Sequence, residues 1–271
     1  MVQLVDAAPP GVILLSAGRG SRMSPLTDGI PKSLLPVGDR LVLDWLVEAV
    51  IVRSVGEIVV VTGYESEKVT THLKRSFGSR VATVENNQYS DDVNILSVEI
   101  GVSALRHPER GYLIVETDLL LDESAWDQVF AVMRHSADLS CWVCDGFYSP
   151  ALTGGIVHAD QNGRITAIDY QPSYLPVFDG WPKMVGLLLV GPSQVEQDRR
   201  LRRAAIKQSI AQYYLMPWKE GVASLPSRVL QLKDSFARSF NTESDFYQAR
   251  ADFLRHRQSN ISHKNEKVIN T

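Results

Sequence analysis

Five stretches in the first 145 residues are short and rich in apolar residues: GVILL (11–15), EIVVVTG (57–63), RVATVEN (80–86), GYLIVET (111–117) and LSCWVC (139–144). Between them, apolar positions recur at helical spacing over about 41–54, 65–76, 93–106 and 123–135. Strands with no polar alternation, separated by crossover helices, belong in a sheet covered on both faces. The pattern predicts an α/β fold with a doubly wound, mostly parallel, Rossmann-like sheet. After residue 145 the rhythm changes. GGIVHADQNGRITAIDY alternates on either side of Asn162-Gly163 and predicts a β-hairpin. KMVGLLLVG predicts a further strand, and SQVEQDRRLRRAAIKQSIAQYY a long helix. A last helix is expected near Thr242, where TESD offers a capped start. The polar tail, residues 256–271, is expected to fray or stay disordered. No repeat and no linker divides the chain, so residues 1–255 read as one domain whose second half, 146–255, elaborates the sheet of the first.

Composition narrows the choice of partners. The 271 residues carry a net charge of -3, which argues against nucleic acid as the main ligand. The N-terminus lacks the pattern of a signal peptide, and no apolar run approaches the roughly 20 residues that span a bilayer. A cytoplasmic protein without membrane contact is expected. Cys141 and Cys144 sit three apart on a predicted strand, hence on opposite faces, and read as core. The basic run RRLRRAAIK (199–207) reads as a solvated helix face.

The chemistry concentrates in SAGRGSRMSPLTDGIPKSLLP (16–36), directly after the first predicted strand. A dinucleotide fingerprint would need glycine at position 23, which is Met, and the Walker spacing does not occur. What remains is a glycine-rich turn whose N–H groups approach a polyphosphate, with Arg22 and Lys32 adding positive charge. In open α/β sheets ligands bind beyond the carboxyl ends of strands, where this loop, Asn94 and Asp118 all fall.

The segment from Ala17 to Val37 resembles the signature A-G-x-G-x-R-[ML]-x-P-L-T…P-K-x-L-[LV]-P-[VI] of nucleotidyltransferases that join a nucleoside triphosphate to a phosphorylated acceptor. The resemblance implies that the backbone around Ser16, Ala17 and Gly18 lies beside the base and ribose. It makes Gly20, Ser21 and Arg22 a cradle for the triphosphate, and sets Lys32 against the α-phosphate or the acceptor phosphate. It likewise implies a magnesium ion on Asp118, with Glu116 sharing its strand face. The second ligand is aligned at Asn241 in SFNTESDFYQA, where aspartate is common in the family, while Asp245 supports the helix start. The halves 1–145 and 146–255 become nucleotide-binding and acceptor-binding.

Sugar-phosphate members usually carry Q-x-x-x-x-G-T-A and E-K-P, and neither is present. Instead ENNQYSDDVNILSVEIGVSAL is similar to N-x-x-Y-x-x-x-N-x-x-S-L of phosphocholine and phosphonate cytidylyltransferases, through Asn87 (or Asn86), Tyr89, Asn94 and Ser97. This implies CTP and a small phosphate or phosphonate monoester. Asn94 would orient base or acceptor. Lys183, Gln171 and Tyr170 are expected on the acceptor side. A choline-like head group would want an aromatic cage, for which Tyr148, Tyr170, Tyr174, Trp181 and Trp218 are available. A free amine would want acids, for which Asp145, Asp169 and Asp179 are available. A sugar 1-phosphate acceptor and a non-catalytic nucleotide-binding protein on the same fold are the alternatives.

Overall fold

Alternate residues of the first strand point into two different apolar cores, and this sets the architecture. The computed structural model describes residues 9–53, 56–135 and 139–269. In β1 (Gly11–Ser16) every residue is buried. Val12 and Leu14 join one core, Ile13 and Leu15 the other. A short ribbon, β2 (Pro36–Val37) with β3 (Arg40–Leu41), leads into α1 (Val42–Ile51). The chain continues through β4 (Ile58–Thr62), α2 (Ser66–Phe77), β5 (Ala82–Glu85), α3 (Ile95–Ala104) and β6 (Tyr112–Glu116). β4 and β6 flank β1, β5 lies outside β4, and all four are parallel. α1 and α2 cover one face and α3 the other, so the sheet is doubly wound. From β1 the chain first travels towards β4 and later returns to β6 on the other side. That reversal opens a crevice beyond the ends of β1 and β6.

β7 (Leu119–Leu121), α4 (Glu123–His135), β8 (Ser140–Phe147), β9 (Gly154–Ala159), β10 (Ile165–Gln171) and β11 (Pro182–Val190) follow. β11 inserts antiparallel between β6 and β8. The β9–β10 hairpin, with Gly163 left-handed in its turn (φ 75°), joins the same sheet through β11. Then come α5 (Val195–Gln208), α6 (Met216–Glu220), β12 (Ser227–Gln231) beside β8, β13 (Ala237–Ser239) beside β7, and α7 (Glu243–Ile269). The second half thus extends the central sheet to nine strands among the described residues. Cys141 faces one core and Cys144 the other. Among the described residues no helix is long and apolar enough to cross a membrane.

Three expectations change. The tail is helical to Ile269, because no glycine or proline interrupts α7. The long helix stops at Gln208, short of Tyr214. Ser209 turns extended there (φ -165°, ψ 143°), and Gln212 Nε2 donates to the carbonyls of Ala205 and Ser209. The start of the chain (1–8), Ser54 of the first helical pattern and residues 270–271 lie outside the described residues.

The basic run is not wholly solvated either. Arg202 is 1% exposed and donates to Asp198 and, at 2.9 Å, to Glu99 of α3. Asp198, also 1% exposed, accepts in addition from the Tyr112 hydroxyl and, at 2.8 Å, from Trp218 Nε1. Removing one member of such a buried set leaves the others unpaired. Asp198→Ala is therefore expected to cost about 3–5 kcal/mol, read as a lowered urea midpoint.

Candidate active site

The loop after β1 is tied back to the strand that launches it. Ser16 Oγ meets Ser33 Oγ at 2.6 Å, both buried. Gly20 adopts φ 69° to start the turn Ser21–Met23, and Thr27 Oγ1 donates to its carbonyl at 2.9 Å. From α2 and the turn before it, Lys68 Nζ donates to the Gly29 carbonyl (2.6 Å) while the Tyr64 hydroxyl accepts from Gly29 N–H (2.7 Å). A Cβ at Gly18 would meet nothing within 4 Å, so the backbone there lies open to an incoming group. Ala17, Gly18, Gly20, Ser21, Arg22 and Lys32 line one cleft of about 290 Å³.

The acids enter from the facing strand. Glu116 ends β6, and Asp118 follows it into the same cleft. Lys32 Nζ donates to Asp118 Oδ2 at 2.5 Å, and Asp118 is only 6% exposed. Its other oxygen, Oδ1, is buried and meets no hydrogen-bonding group of the protein. Asn241 arrives through the β7–β13 ribbon: Ser239 pairs with Leu119, and Phe240 N–H donates to the Asp118 carbonyl at 2.9 Å. Asn241 Oδ1 then accepts from the Arg22 guanidinium at 2.6 Å. Asp245 caps α7 by accepting from Thr242 N–H (3.0 Å), while Thr242 Oγ1 accepts from Asp245 N–H (3.2 Å).

Burial pushes the Glu116 carboxyl up to about 7, helped by Asp118 and opposed by Lys32 and Lys183. Gly186 of β11 makes room for it, since a Cβ there would stand 2.8 Å from Glu116 Oε2. Lys183 lines the cleft too, its Nζ donating to the Met184 carbonyl at 2.8 Å; burial draws its ammonium down, against the pull of Glu116.

Several of the expected site residues lie apart from the cleft or are engaged elsewhere. Ser16 and Gln171 do not line the cleft. The Ser16 side chain is spent on Ser33, and Gln171 follows Tyr170 on a strand, where successive residues face opposite sides. Asn87 is exposed and outside the cleft, whereas buried Asn86 donates to Asp92 (2.9 Å) and Ser97 (3.0 Å). Asn94 does line the cleft, but its Oδ1 accepts from Tyr214 N–H at 2.8 Å. Of the five aromatic candidates only Tyr170 reaches it; Trp142, Tyr213 and Tyr214 join it there. Tyr213 and Tyr214 fall at the close of the predicted long helix, which in the structure ends at Gln208; the pair YY there is the one signal that marks them. Asp169 is engaged by Lys219 and Asp179 by Tyr174, and neither these nor Asp145 line the cleft.

The donor set suits magnesium. Asp118 offers an unpartnered carboxylate oxygen and Asn241 an amide oxygen in the same cleft, both hard ligands. Among the described residues no group of three or more His, Cys, Asp or Glu holds a metal by itself, so phosphate oxygens and water would complete the shell.

The profile of the MobA-like NTP transferase domain matches residues 12–172. A 2-aminoethylphosphonate cytidylyltransferase of Lancefieldella rimae is 31% identical over 118 residues, covering 44% of this chain and 46% of that protein. A choline-phosphate cytidylyltransferase of Streptococcus pneumoniae is 31% identical over 86 residues, covering 32% of this chain and 36% of that protein. The matches therefore span less than half the length of these curated relatives. Among solved structures, the CTP:phosphocholine cytidylyltransferase from Streptococcus pneumoniae superposes with a TM-score of 0.75 at 17% identity. It covers 90% of this chain and 98% of its own, a likeness of fold.

Glu116 makes stability depend on pH. Between the ordinary value of 4.5 and about 7 the folded protein keeps a proton that the unfolded chain has released. Its contribution is full below the lower value and is lost as pH rises through the upper one. In EDTA, Glu116→Gln is expected to flatten the decline in stability between about pH 5 and pH 8 by about 2–3 kcal/mol, read from urea midpoints.

Proposed function

Because the chain belongs to the MobA-like NTP transferase domain family, we propose that it is a magnesium-dependent cytidylyltransferase. It would couple CTP to a small phosphate or phosphonate monoester and release pyrophosphate. The observation that carries this reading is the pairing of Lys32 with Asp118 and of Arg22 with Asn241 inside one cleft. Loop cations and oxygen ligands thus meet where two anionic reactants must approach each other.

An acceptor oxygen attacks the α-phosphorus in line; the new P–O bond forms as the bond to the β-phosphate bridge breaks, and its electron pair leaves with pyrophosphate. The attacking oxygen is already anionic, so no general base is required. The turn at Gly18–Arg22 presents backbone N–H groups and a guanidinium to the triphosphate. Lys32 holds the α-phosphate against the acceptor, and Lys183 offsets charge on the acceptor's own phosphate. Asp118 and Asn241 would hold magnesium, which when bound draws charge from the phosphate oxygens. Both relatives named above are cytidylyltransferases, and their acceptors motivate the substrate class. Tyr170, Tyr213 and Tyr214 favour a compact cationic head group, because ring faces attract ammonium charge.

The test is pyrophosphate release across four nucleoside triphosphates with phosphocholine, 2-aminoethylphosphonate and a sugar 1-phosphate. CTP with one of the first two is expected to lead. Turnover only with the sugar phosphate would replace the acceptor, and calorimetric CTP binding without release would make the protein non-catalytic. Lys32→Ala is expected to lower turnover at least about 100-fold while keeping a single cooperative urea transition. Near-normal turnover would remove Lys32 from the mechanism.

A further inference from the structure

The asparagine that begins α3 does not do the usual work of its position. An N-cap asparagine ordinarily accepts from N–H groups two or three residues further on. In α3 that task falls to Asp92, whose carboxylate accepts from the N–H groups of Leu96 (3.0 Å) and Ser97 (2.8 Å) and from the Ser97 hydroxyl (2.7 Å). Asn86 donates to the same carboxylate at 2.9 Å and holds it in place. Asn94 therefore makes no side-chain cap bond, and its Oδ1 is free to accept from Tyr214 N–H at 2.8 Å. Val93 N–H donates to the Ile210 carbonyl at 3.3 Å. Two adjacent residues of the α3 start thus pin the segment 209–215, more than 110 positions downstream.

That segment builds one wall of the cleft. Tyr214 stacks on Trp142, with centroids 5.7 Å apart and planes 13° apart, and lines the cleft together with Glu116. Tyr213 stacks on Tyr170 at 4.0 Å, and their hydroxyls meet at 2.6 Å. We infer that Asn94 is a positioning residue for the acceptor: it locks segment 209–215 so that Tyr213 and Tyr214, with Tyr170, form the surface on which the acceptor head group rests. Asn94 acts through Tyr214, whose N–H it holds. The inference rests on the transferase reading for the word acceptor, and on geometry alone for the locking of the segment.

The two parts have separate readouts. In Asn94→Ala, hydrogen exchange followed by mass spectrometry should quicken at least about tenfold in peptides spanning 209–215, with the α3 core still protected. The KM for phosphocholine or 2-aminoethylphosphonate should rise about tenfold, while kcat and the KM for CTP stay within about twofold. Asn94→Asp keeps the accepting oxygen and discards the amide donor, so it should restore exchange protection at 209–215. A rise in the CTP KM of Asn94→Ala equal to or larger than that for the acceptor, or a failure of Asn94→Asp to restore that protection, would overturn the inference. So would unchanged exchange at 209–215. If no nucleotide is turned over at all, the transferase reading falls and takes the acceptor assignment with it, whereas the exchange result still decides whether Asn94 locks the segment.

Discussion

Everything at this site depends on keeping opposite charges close in a place shielded from water. Lys32 and Asp118 touch across the cleft, and Glu116 stands on the same strand end between two lysines. Without those cations two carboxylates would share a poorly solvated crevice, and without the carboxylates Lys32 and Lys183 would repel. The protein therefore stores its cations against its own acids. In the proposed reaction an arriving polyphosphate would exchange partners with them, with positive charge already oriented where negative charge must be concentrated.

The fold supplies that arrangement by placing rigid elements on each side of the reversal between β1 and β6. β1 delivers the glycine turn, and the Ser16–Ser33 bond returns the loop so that Lys32 faces β6. β6 delivers Glu116 and Asp118, and the β7–β13 ribbon brings Asn241 beside them. Gly20 is needed for its left-handed turn, and Gly186 for the space that Glu116 occupies. Sites carried on strand ends, with their loops hydrogen-bonded at several points, hold geometry better than free loops do.

The second half is anchored by polar burial as much as by apolar packing. Asp198 and Arg202 fix α5 to Tyr112 of β6, to Glu99 of α3 and to Trp218 of α6. From the end of α5 the chain runs straight into the tyrosine wall, so the buried pair indirectly sets where that wall begins. An apolar substitute could fill the same space, but it would lose the directional bonds that orient α5 on the sheet.

Much of this was legible in the order of residues. Period and apolar runs located β1, β4, β6, α2 and α4 within a residue or two, because each strand must cover both faces and each helix one. The loop's glycines and cations, the capped start at Thr242 and the opposite-facing cysteines were likewise local facts. Tertiary structure decided the rest. Asn241 meets Arg22 from 219 positions away only because β13 pairs with β7 in one register. Gln171 turns from the cleft because Tyr170 faces it, Arg202 is buried because Asp198 and Glu99 wait for it, and Tyr213 and Tyr214 are released by a helix that stops at Gln208. Periodicity reports which side of an element is apolar; which distant element covers that side, and in what register, is settled by the packing and hydrogen bonding of the whole chain.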